Sequence, residues 1–306
     1  MRRALCVALL LALSLPSAAR DAAGAGPALR PEAWVSSDAD GNETRKMGLG
    51  WDIRRRGDDH WLGAKVEHAR FAGGDWSQTE RRVYLRAAGG GDAWRWRFDA
   101  GSNGDALLGS ASVFSRDARR KEFFLEREVL ETRGGAERGD VQTFAGASID
   151  LPLGQRWTAT GLAGAQDFGR GGNLRSHLRG NLVFAALPEQ GISLQLRGRY
   201  FRNSEPFEGD YYSPRWYGEA LGVVALRRKV SGHQWRAAAG IGRQRSDGEQ
   251  WKRARLLEVG LDTPHWKRAW LRLNAGYKDT PVLTGGSSGS GSYAYRYVSV
   301  EAVIGL

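Results

Sequence analysis

The sequence predicts an all-β fold, a transmembrane antiparallel β-barrel of about 16 strands. Three observations predict it. The chain begins with an export signal, its body alternates apolar and polar residues, and the connections between the alternating stretches are short and long in turn. No later stretch reaches the roughly 18 consecutive apolar residues of a transmembrane helix.

The N-terminus has the order of regions found in signal peptides. Met1–Arg3 is basic, Ala4–Leu15 is almost entirely apolar, and small residues continue up to Ala19. This order predicts a signal peptide at 1–19, cleaved after Ala19. A membrane anchor is the alternative, but the apolar stretch is shorter than the roughly 20 residues that a span needs.

The rest of the chain divides into a short N-terminal segment at 20–30 and the barrel at 31–306. The only cysteine, Cys6, lies in the predicted signal peptide, so neither a disulfide nor a cysteine metal site is expected. Of 45 Lys and Arg against 34 Asp and Glu, removal of Arg2 and Arg3 leaves a net charge of +9. For an exported chain this balance favours outer-membrane lipid, including lipopolysaccharide, or an acidic polymer as partner, and no nucleic acid is expected.

The alternation has a period of two residues, as in β-strands with one apolar and one polar face. Its clearest examples are Trp94–Ala100, Ile192–Arg197 and Trp270–Ala275. Alternation alone fits two structures. In a soluble sandwich the apolar face looks inward, whereas in a membrane barrel it faces lipid and the polar face lines the lumen.

Spacing and tryptophan positions favour the membrane barrel. The alternating stretches recur about every 15 to 20 residues, which is longer than the spacing of strands in a typical sandwich. Tryptophans recur at the ends of these stretches, as in the aromatic girdles of membrane barrels. They are Trp51, Trp61, Trp94, Trp157, Trp216, Trp235, Trp251, Trp266 and Trp270.

The connections give the strand count. Counted back from a final strand at Tyr293–Leu306, long connections at Thr280–Gly291, around Ser246–Gly248 and at Asn203–Arg215 alternate with tight turns. The predicted periplasmic turns are Arg56–Asp58, Gly89–Gly91, Arg116–Lys121, Leu153–Gln155, Pro188–Gly191, Val230–Gly232 and Thr263–His265. The result is about 16 strands with both barrel ends in the periplasm. Charges on both faces of Asp105–Glu137 make that stretch the hardest to assign.

Alternation in the last strand predicts which of its residues face lipid and which face the lumen. The predicted lipid-facing residues are Val298, Val300, Ala302, Ile304 and Leu306, and the predicted lumen-facing residues are Tyr295, Tyr297, Ser299 and Glu301. A strand that ends on an apolar residue resembles the terminal strand read by the barrel-assembly machinery. Leu306 here replaces the usual aromatic residue.

The histidines do not predict an enzyme. They are His60, His68, His177, His233 and His265, and no metal-binding spacing relates them. Only His177 stands at a predicted lumen position beside a strand hydroxyl, that of Ser176, and adjacent strand residues face opposite sides. We expect no catalytic residue, no metal and no cofactor.

The most distinctive string is Gly209–Tyr217, in the long extracellular loop predicted between the eleventh and twelfth strands. Its motif residues are Tyr211, Tyr212, Ser213, Pro214 and Tyr217. With the loosely matching stretch Leu194–Leu306, it resembles the C-terminal barrels of exopolysaccharide-secretion proteins, the poly-N-acetylglucosamine export porin and the outer-membrane cellulose synthase subunit. The resemblance implies a pore of roughly sixteen strands that threads a growing sugar polymer. Members of that family carry tetratricopeptide repeats before the barrel, whereas only segment 20–30 stands there in this sequence. Polymer capture by repeats would therefore come from a partner, a periplasmic repeat protein or an inner-membrane synthase, or would not occur.

The predicted lumen face offers groups that bind sugars, which present hydroxyls and apolar C–H faces. The candidate binding residues are Arg95, Arg97, Arg197, Arg199, Arg272, Asn274, Tyr295, Tyr297 and Glu301, with Tyr84 beside them. The alternative is that these residues solvate a wide lumen and hold its shape through ion pairs.

Three functions remain open at this point: an exopolysaccharide export pore, a general or substrate-specific porin, and a structural or receptor barrel without transport. Nine arginines are assigned to the lumen: Arg82, Arg86, Arg95, Arg97, Arg179, Arg197, Arg199, Arg236 and Arg272. They outnumber the five assigned acids, Asp52, Glu67, Asp99, Glu258 and Glu301. This excess predicts a field that favours anions, and therefore a neutral or acidic polymer.

Overall fold

The computed structural model describes residues 26–39, 41–169, 171–266, 268–279 and 294–306. The predicted signal peptide at 1–19, most of segment 20–30 and the predicted loop Thr280–Gly291 lie outside the described residues. Among the residues described, no helix is long and apolar enough to cross a membrane.

The described chain folds into sixteen strands and one short helix. The strands are β1 Ala28–Asp38, β2 Glu43–Gly57, β3 His60–Gly73, β4 Trp76–Gly90, β5 Trp94–Ser102, β6 Leu107–Ser115, β7 Lys121–Val129, β8 Val141–Pro152, β9 Trp157–Asp167, β10 Leu174–Leu187, β11 Ile192–Asn203, β12 Trp216–Val230, β13 His233–Ser246, β14 Lys252–Asp262, β15 Ala269–Lys278 and β16 Tyr295–Gly305. The helix, α1, spans Arg133–Arg138 between β7 and β8. The sequence did not predict α1.

Each strand pairs antiparallel with its neighbours in the chain, and β1 pairs with β16 to close the barrel. The predicted closed antiparallel barrel of sixteen strands is therefore confirmed. β1 begins at Ala28, whereas the sequence placed the start of the barrel at Pro31. At the seam between β1 and β16, Ala28 stands opposite Gly305 and Asp38 opposite Tyr295.

The two ends of the barrel differ in their connections. The end that holds the starts of β1, β3 and β5 carries the turns predicted to be periplasmic, such as residues 58–59 and 231–232. We call it the turn end and its opposite the loop end. The loop end carries the longer connections at 130–140 and 204–215. Short turns in the periplasm and longer loops outside are the rule for outer-membrane barrels.

The outer wall is apolar because alternate residues of every strand point away from the lumen. Large side chains such as Leu85 and Ile241 are 67% and 71% exposed. Their chain neighbours, such as Arg86 and Tyr84, are buried on the inner side. An exposed apolar wall of this size would be unfavourable in water, but it is favourable in contact with lipid.

Two of the nine girdle tryptophans were assigned wrongly. Trp61 lies inside the barrel, with the guanidinium groups of Arg30 and Arg86 4.7 and 5.3 Å from its ring centre. Trp270 is buried with Ala28 and Val303 next to the seam. A tryptophan at the end of a strand fits either face, so its sequence position alone does not decide its direction.

The facing of β16 is testable with adjacent cysteines, because neighbouring strand residues point to opposite sides. We expect a cysteine at Val298 to react with a probe dissolved in lipid, and one at Ser299 to react with a small water-soluble maleimide. Labelling in liposomes, with detection by mass spectrometry, measures both. The opposite pattern would mean that the register of β16 is shifted by one residue.

Candidate functional site

The candidate site is the lumen, and its two halves differ in how tightly their side chains pack. Lumen side chains on β11 to β15 remain partly open to solvent, with Arg197 27% and Arg272 31% exposed. On β2 at the turn end, Asp52 is only 1% exposed, as are Phe71 and Tyr217 toward the loop end. The lumen therefore has a partly solvated half on β11 to β15, whereas side chains fill the β1–β2 side and the loop end.

A series of ion pairs lines the lumen on β13 to β16 and β1. The Arg272 guanidinium lies 2.9 Å from the Asp262 carboxylate and 3.5 Å from that of Glu301. Glu301 also accepts a hydrogen bond from Arg30 across the seam, at 3.1 Å. Asn274 accepts from Arg236 at 3.0 Å and donates to Ser299 at 3.2 Å. In these contacts basic and acidic side chains alternate along the inner wall, and each one fixes the position of its neighbour.

The other predicted arginines also have partners. They form these contacts: Arg197 with Glu258 at 3.1 Å, Arg199 with Glu219 at 4.0 Å, Arg97 with the Ser112 hydroxyl at 3.1 Å, and Arg95 with the His60 ring at 2.9 Å. The side chains of Arg197 and Glu258 are both more than a quarter exposed. The structure thus places these arginines in the lumen, and Arg97, Arg197 and Arg199 lie in the kind of ion pairs that the alternative interpretation described.

The predicted excess of lumen arginine is wrong, because the wall carries acids that the sequence did not assign to it. They are Glu32, Glu80, Glu122, Glu128, Glu219 and Asp262, each in an ion pair with a lumen cation. Unassigned cations, such as Lys65 between Glu32 and Glu67 at 2.6 and 2.9 Å, are present as well. Opposite charges therefore neutralise each other along the wall, and the wall has no strong preference for anions.

The predicted tyrosines are buried rather than open to the lumen. The Tyr297 ring stacks on Trp34 at 5.1 Å, and Tyr295 lies 6.0 Å from Tyr297. Tyr84 lies beneath the Lys65 ammonium at 4.5 Å. Each tyrosine is at most 8% exposed. The expectation that their faces are available to sugars is therefore wrong, since neighbouring side chains already cover them.

A segment between β7 and β8, residues 130–140, crosses the loop end inside the barrel, and we call it the lumen segment. It contains α1, which begins where the Thr132 hydroxyl accepts a hydrogen bond from the Gly135 amide at 2.8 Å. It ends at Gly139, whose φ of 66° is left-handed. Leu130 and Thr132 are at most 2% exposed.

One side of the lumen segment is held by β2. The Lys46 ammonium lies 2.6 Å from the Glu131 carboxylate and 3.1 Å from that of Glu128. The Thr44 hydroxyl donates to Glu131 at 3.3 Å. Burial raises the pKa of the Glu131 carboxyl above its ordinary value, although the Lys46 ammonium opposes that shift.

The other side is held by the loop that contains the tyrosine motif. The Asp210 carboxylate accepts hydrogen bonds from the Thr132 hydroxyl and the Gly134 amide, both at 2.6 Å. In the strand order, β2 and the β11–β12 loop are about half of the barrel circumference apart. The lumen segment therefore connects opposite walls, and Asp210 is its anchor on the second wall.

Most of the motif is buried, and it begins in the loop between β11 and β12 where the sequence predicted it. Tyr211 stacks on Phe168 at 4.1 Å and its hydroxyl accepts from Asn173 at 2.8 Å. Burial raises the pKa of Tyr211, so this phenol stays protonated at neutral pH. The Tyr212 carbonyl accepts from Arg175, and the Ser213 hydroxyl donates to the Glu208 carbonyl at 2.9 Å.

The end of the motif joins the wall of the barrel. The Pro214 carbonyl accepts from the Asn203 side chain. Tyr217 lies in β12, where its ring stacks on Phe201 at 5.0 Å and its hydroxyl donates to Glu219 at 2.8 Å. The loop position was predicted correctly, but nothing in the string indicated that Asp210 contacts a segment 76 residues away.

The histidine predicted beside a strand hydroxyl in the lumen is enclosed by other side chains. His177 lies between the rings of Phe144 and Phe201, and one ring nitrogen is 3.0 Å from the Gln166 amide oxygen. Within the described ranges, no group of three or more His, Cys, Asp or Glu residues is arranged to hold a metal ion. The absence of enzymatic activity remains a prediction.

Comparison with known proteins identifies the fold. No protein-family model matches the chain, and no curated protein matches it. Among solved structures, a bacterial polysaccharide outer membrane secretin is similar, with a TM-score of 0.66 and 13% identity over 92% of this chain and 98% of that chain. The fold is that of a porin-like outer-membrane β-barrel.

Two further solved structures are similar at lower scores. OccK7 (OpdD) of Pseudomonas aeruginosa has a TM-score of 0.45 and 10% identity over 92% of this chain and 99% of that chain. An anion-selective porin from Comamonas acidovorans has a TM-score of 0.42 and 12% identity over the same shares of the two chains. At these identities the likeness concerns the fold alone.

Removal of the anchor should open the loop end. We expect D210A to raise the open probability in planar bilayers about tenfold or more, because two hydrogen bonds to a carboxylate are lost. The control D247A removes a carboxylate at the same end whose partner, Arg215 at 3.5 Å, lies outside the lumen segment. Equal currents from wild type, D210A and D247A would show that the lumen segment does not close the pore.

The seam ion pair should contribute to stability. We expect E301Q to lower the free energy of unfolding by about 1–3 kcal/mol, because Arg30 and Arg272 lose a carboxylate acceptor in a partly buried site. The control E43Q removes the partner of Arg45, where both side chains are about half exposed, and should cost less than about 0.5 kcal/mol. Urea unfolding in lipid vesicles measures both, and equal losses would contradict a special role of the seam.

Proposed function

We propose that this barrel exports an exopolysaccharide across the outer membrane. The observation that carries the proposal is the asymmetry of the lumen, whose wall on β11 to β15 is partly solvated and whose loop end is crossed by the lumen segment. A polymer that arrives from the periplasm would meet partly exposed polar side chains such as Arg197 and Arg272. Its exit requires displacement of the contacts that Lys46 and Asp210 make with the lumen segment.

The solvated wall offers the chemistry that a sugar chain needs. Partly exposed guanidinium groups of Arg97, Arg197 and Arg272 donate hydrogen bonds, and the carboxylates of Glu258 and Glu301 accept them. Sugar hydroxyls can do both. Because each charge already has a partner on the wall, a hydroxyl exchanges one modest hydrogen bond for another, and the chain can slide without being trapped.

The balance of charge favours a polymer with few charges. A wall with unpaired arginines would hold an acidic polymer and repel a cationic one, and the wall observed here has neither property along its length. We therefore propose a neutral polysaccharide, one of the two classes expected from the sequence.

The lumen segment across the loop end argues against a general diffusion porin, because a porin at rest conducts small solutes through a solvated constriction. The similarity to a structure described as a polysaccharide outer membrane secretin supports export, as does the resemblance of the Tyr211–Tyr217 string to the exopolysaccharide-secretion family. The proposal requires an inner-membrane synthase, and a periplasmic repeat protein that delivers the polymer to the turn end.

A deletion of the gene in its own host tests the proposal. We expect secreted polysaccharide to fall at least tenfold and to accumulate in the periplasm, because the polymer loses its exit. Complementation with wild type or with E43Q should restore secretion, since Glu43 is exposed on the outer wall. Unchanged secretion, combined with lost uptake of a small solute, would overturn export in favour of a substrate-specific uptake channel.

A further inference from the structure

The outer wall at the loop end carries arginines directly opposite arginines. On β13 and β14, Arg243 faces Arg253, and on β2 and β3, Arg45 faces Arg70. All four are exposed. They point away from the lumen, because the chain neighbours of Arg243 and Arg253, such as Gln244 and Ala254, are buried on the inner side.

Like charges directly opposite each other on a sheet destabilise it unless something neutralises them. The lumen arginines near Asp262 and Glu301 have carboxylates for this purpose. Outside, no described carboxylate forms a salt bridge with Arg243, Arg253 or Arg70. The outward pair of Arg243 and Arg253 therefore fits a negatively charged ligand that the described part of the chain does not supply.

These pairs belong to an arginine-rich band. Further outward arginines at the loop end are Arg81, Arg127, Arg202, Arg245, Arg255 and Arg296. The turn end differs, since Arg54 there stands opposite Leu62 and Arg228 opposite Trp235. The outward pairs of directly opposed arginines thus lie at the loop end, which the rule for outer-membrane barrels places at the outer leaflet.

We propose that the β13–β14 patch, defined by Arg243, Arg253 and Arg255, binds phosphate groups of lipopolysaccharide in the outer leaflet. Guanidinium groups bind phosphate in a bidentate way, and two of them side by side match one phosphorylated sugar headgroup. Arg255 is held in place by the Asp279 carboxylate at 2.5 Å. The exposed Trp251 ring beside the patch is a residue type that favours the interfacial zone.

Native mass spectrometry of the detergent-purified protein, titrated with bis-phosphorylated lipid A, tests the proposal. We expect the variant R243Q/R253Q to bind lipid A about tenfold more weakly than wild type, because two charge-assisted contacts are lost. The control R54Q/R228Q removes the same charge from the turn end and should bind like wild type. The mobility of unheated samples on gels checks that both variants remain closed barrels.

Chemically dephosphorylated lipid A separates phosphate recognition from binding of acyl chains by the apolar wall. We expect dephosphorylated lipid A to bind wild type and R243Q/R253Q with equal affinity. That affinity should equal the affinity of R243Q/R253Q for intact lipid A. Equal binding of both lipids by wild type would overturn the proposal, as would equal losses in R243Q/R253Q and R54Q/R228Q. Self-association of wild type that R243Q/R253Q abolishes, without lipid binding, would instead assign the patch to contacts between copies.

Discussion

The structure depends on one constraint, which is that hydrocarbon offers no hydrogen-bond partner to the backbone. Every strand must therefore pair on both edges, and sixteen strands satisfy this by closing β16 onto β1. Closure then fixes the side chains. Alternate residues face lipid and must be apolar, while the charged residues between them are confined to the lumen or to the two rims.

The confinement of charged residues to the lumen explains why the charged side chains of its wall form ion pairs. A charge within a narrow, partly solvated space is costly unless an opposite charge lies beside it. Arg272 between Asp262 and Glu301, and Lys65 between Glu32 and Glu67, show the result. The same rule applies to one side of the lumen segment, where Lys46 lies beside Glu131. On the other side the Asp210 carboxylate accepts hydrogen bonds from neutral groups, the Thr132 hydroxyl and the Gly134 amide.

Features encoded in local patterns were predictable from the sequence, whereas features that depend on distant contacts were not. Alternation and turn residues predicted the strands and the position of the loop around Tyr211, because both signals are contained within a few residues. The balance of lumen charge was missed because Glu128 and Glu32 lie in strands whose facing their own sequence leaves ambiguous. No local signal links Asp210 to Gly134, and α1 was missed for the same reason. Trp61 shows a third limit, since a strand-end tryptophan fits either face.

The seam has a consequence for the order of folding. Every other strand pair joins neighbours in the chain, so hairpins can form one after another with short loops to close. Arg30 and Glu301 are 271 residues apart, and their strands meet only after the sheet between them has curved around. Until that moment β1 and β16 are open edges that another chain can pair with. An assembly intermediate of this protein is therefore an open sheet with two unpaired edge strands. These edges must be protected from pairing with other chains until β1 and β16 join.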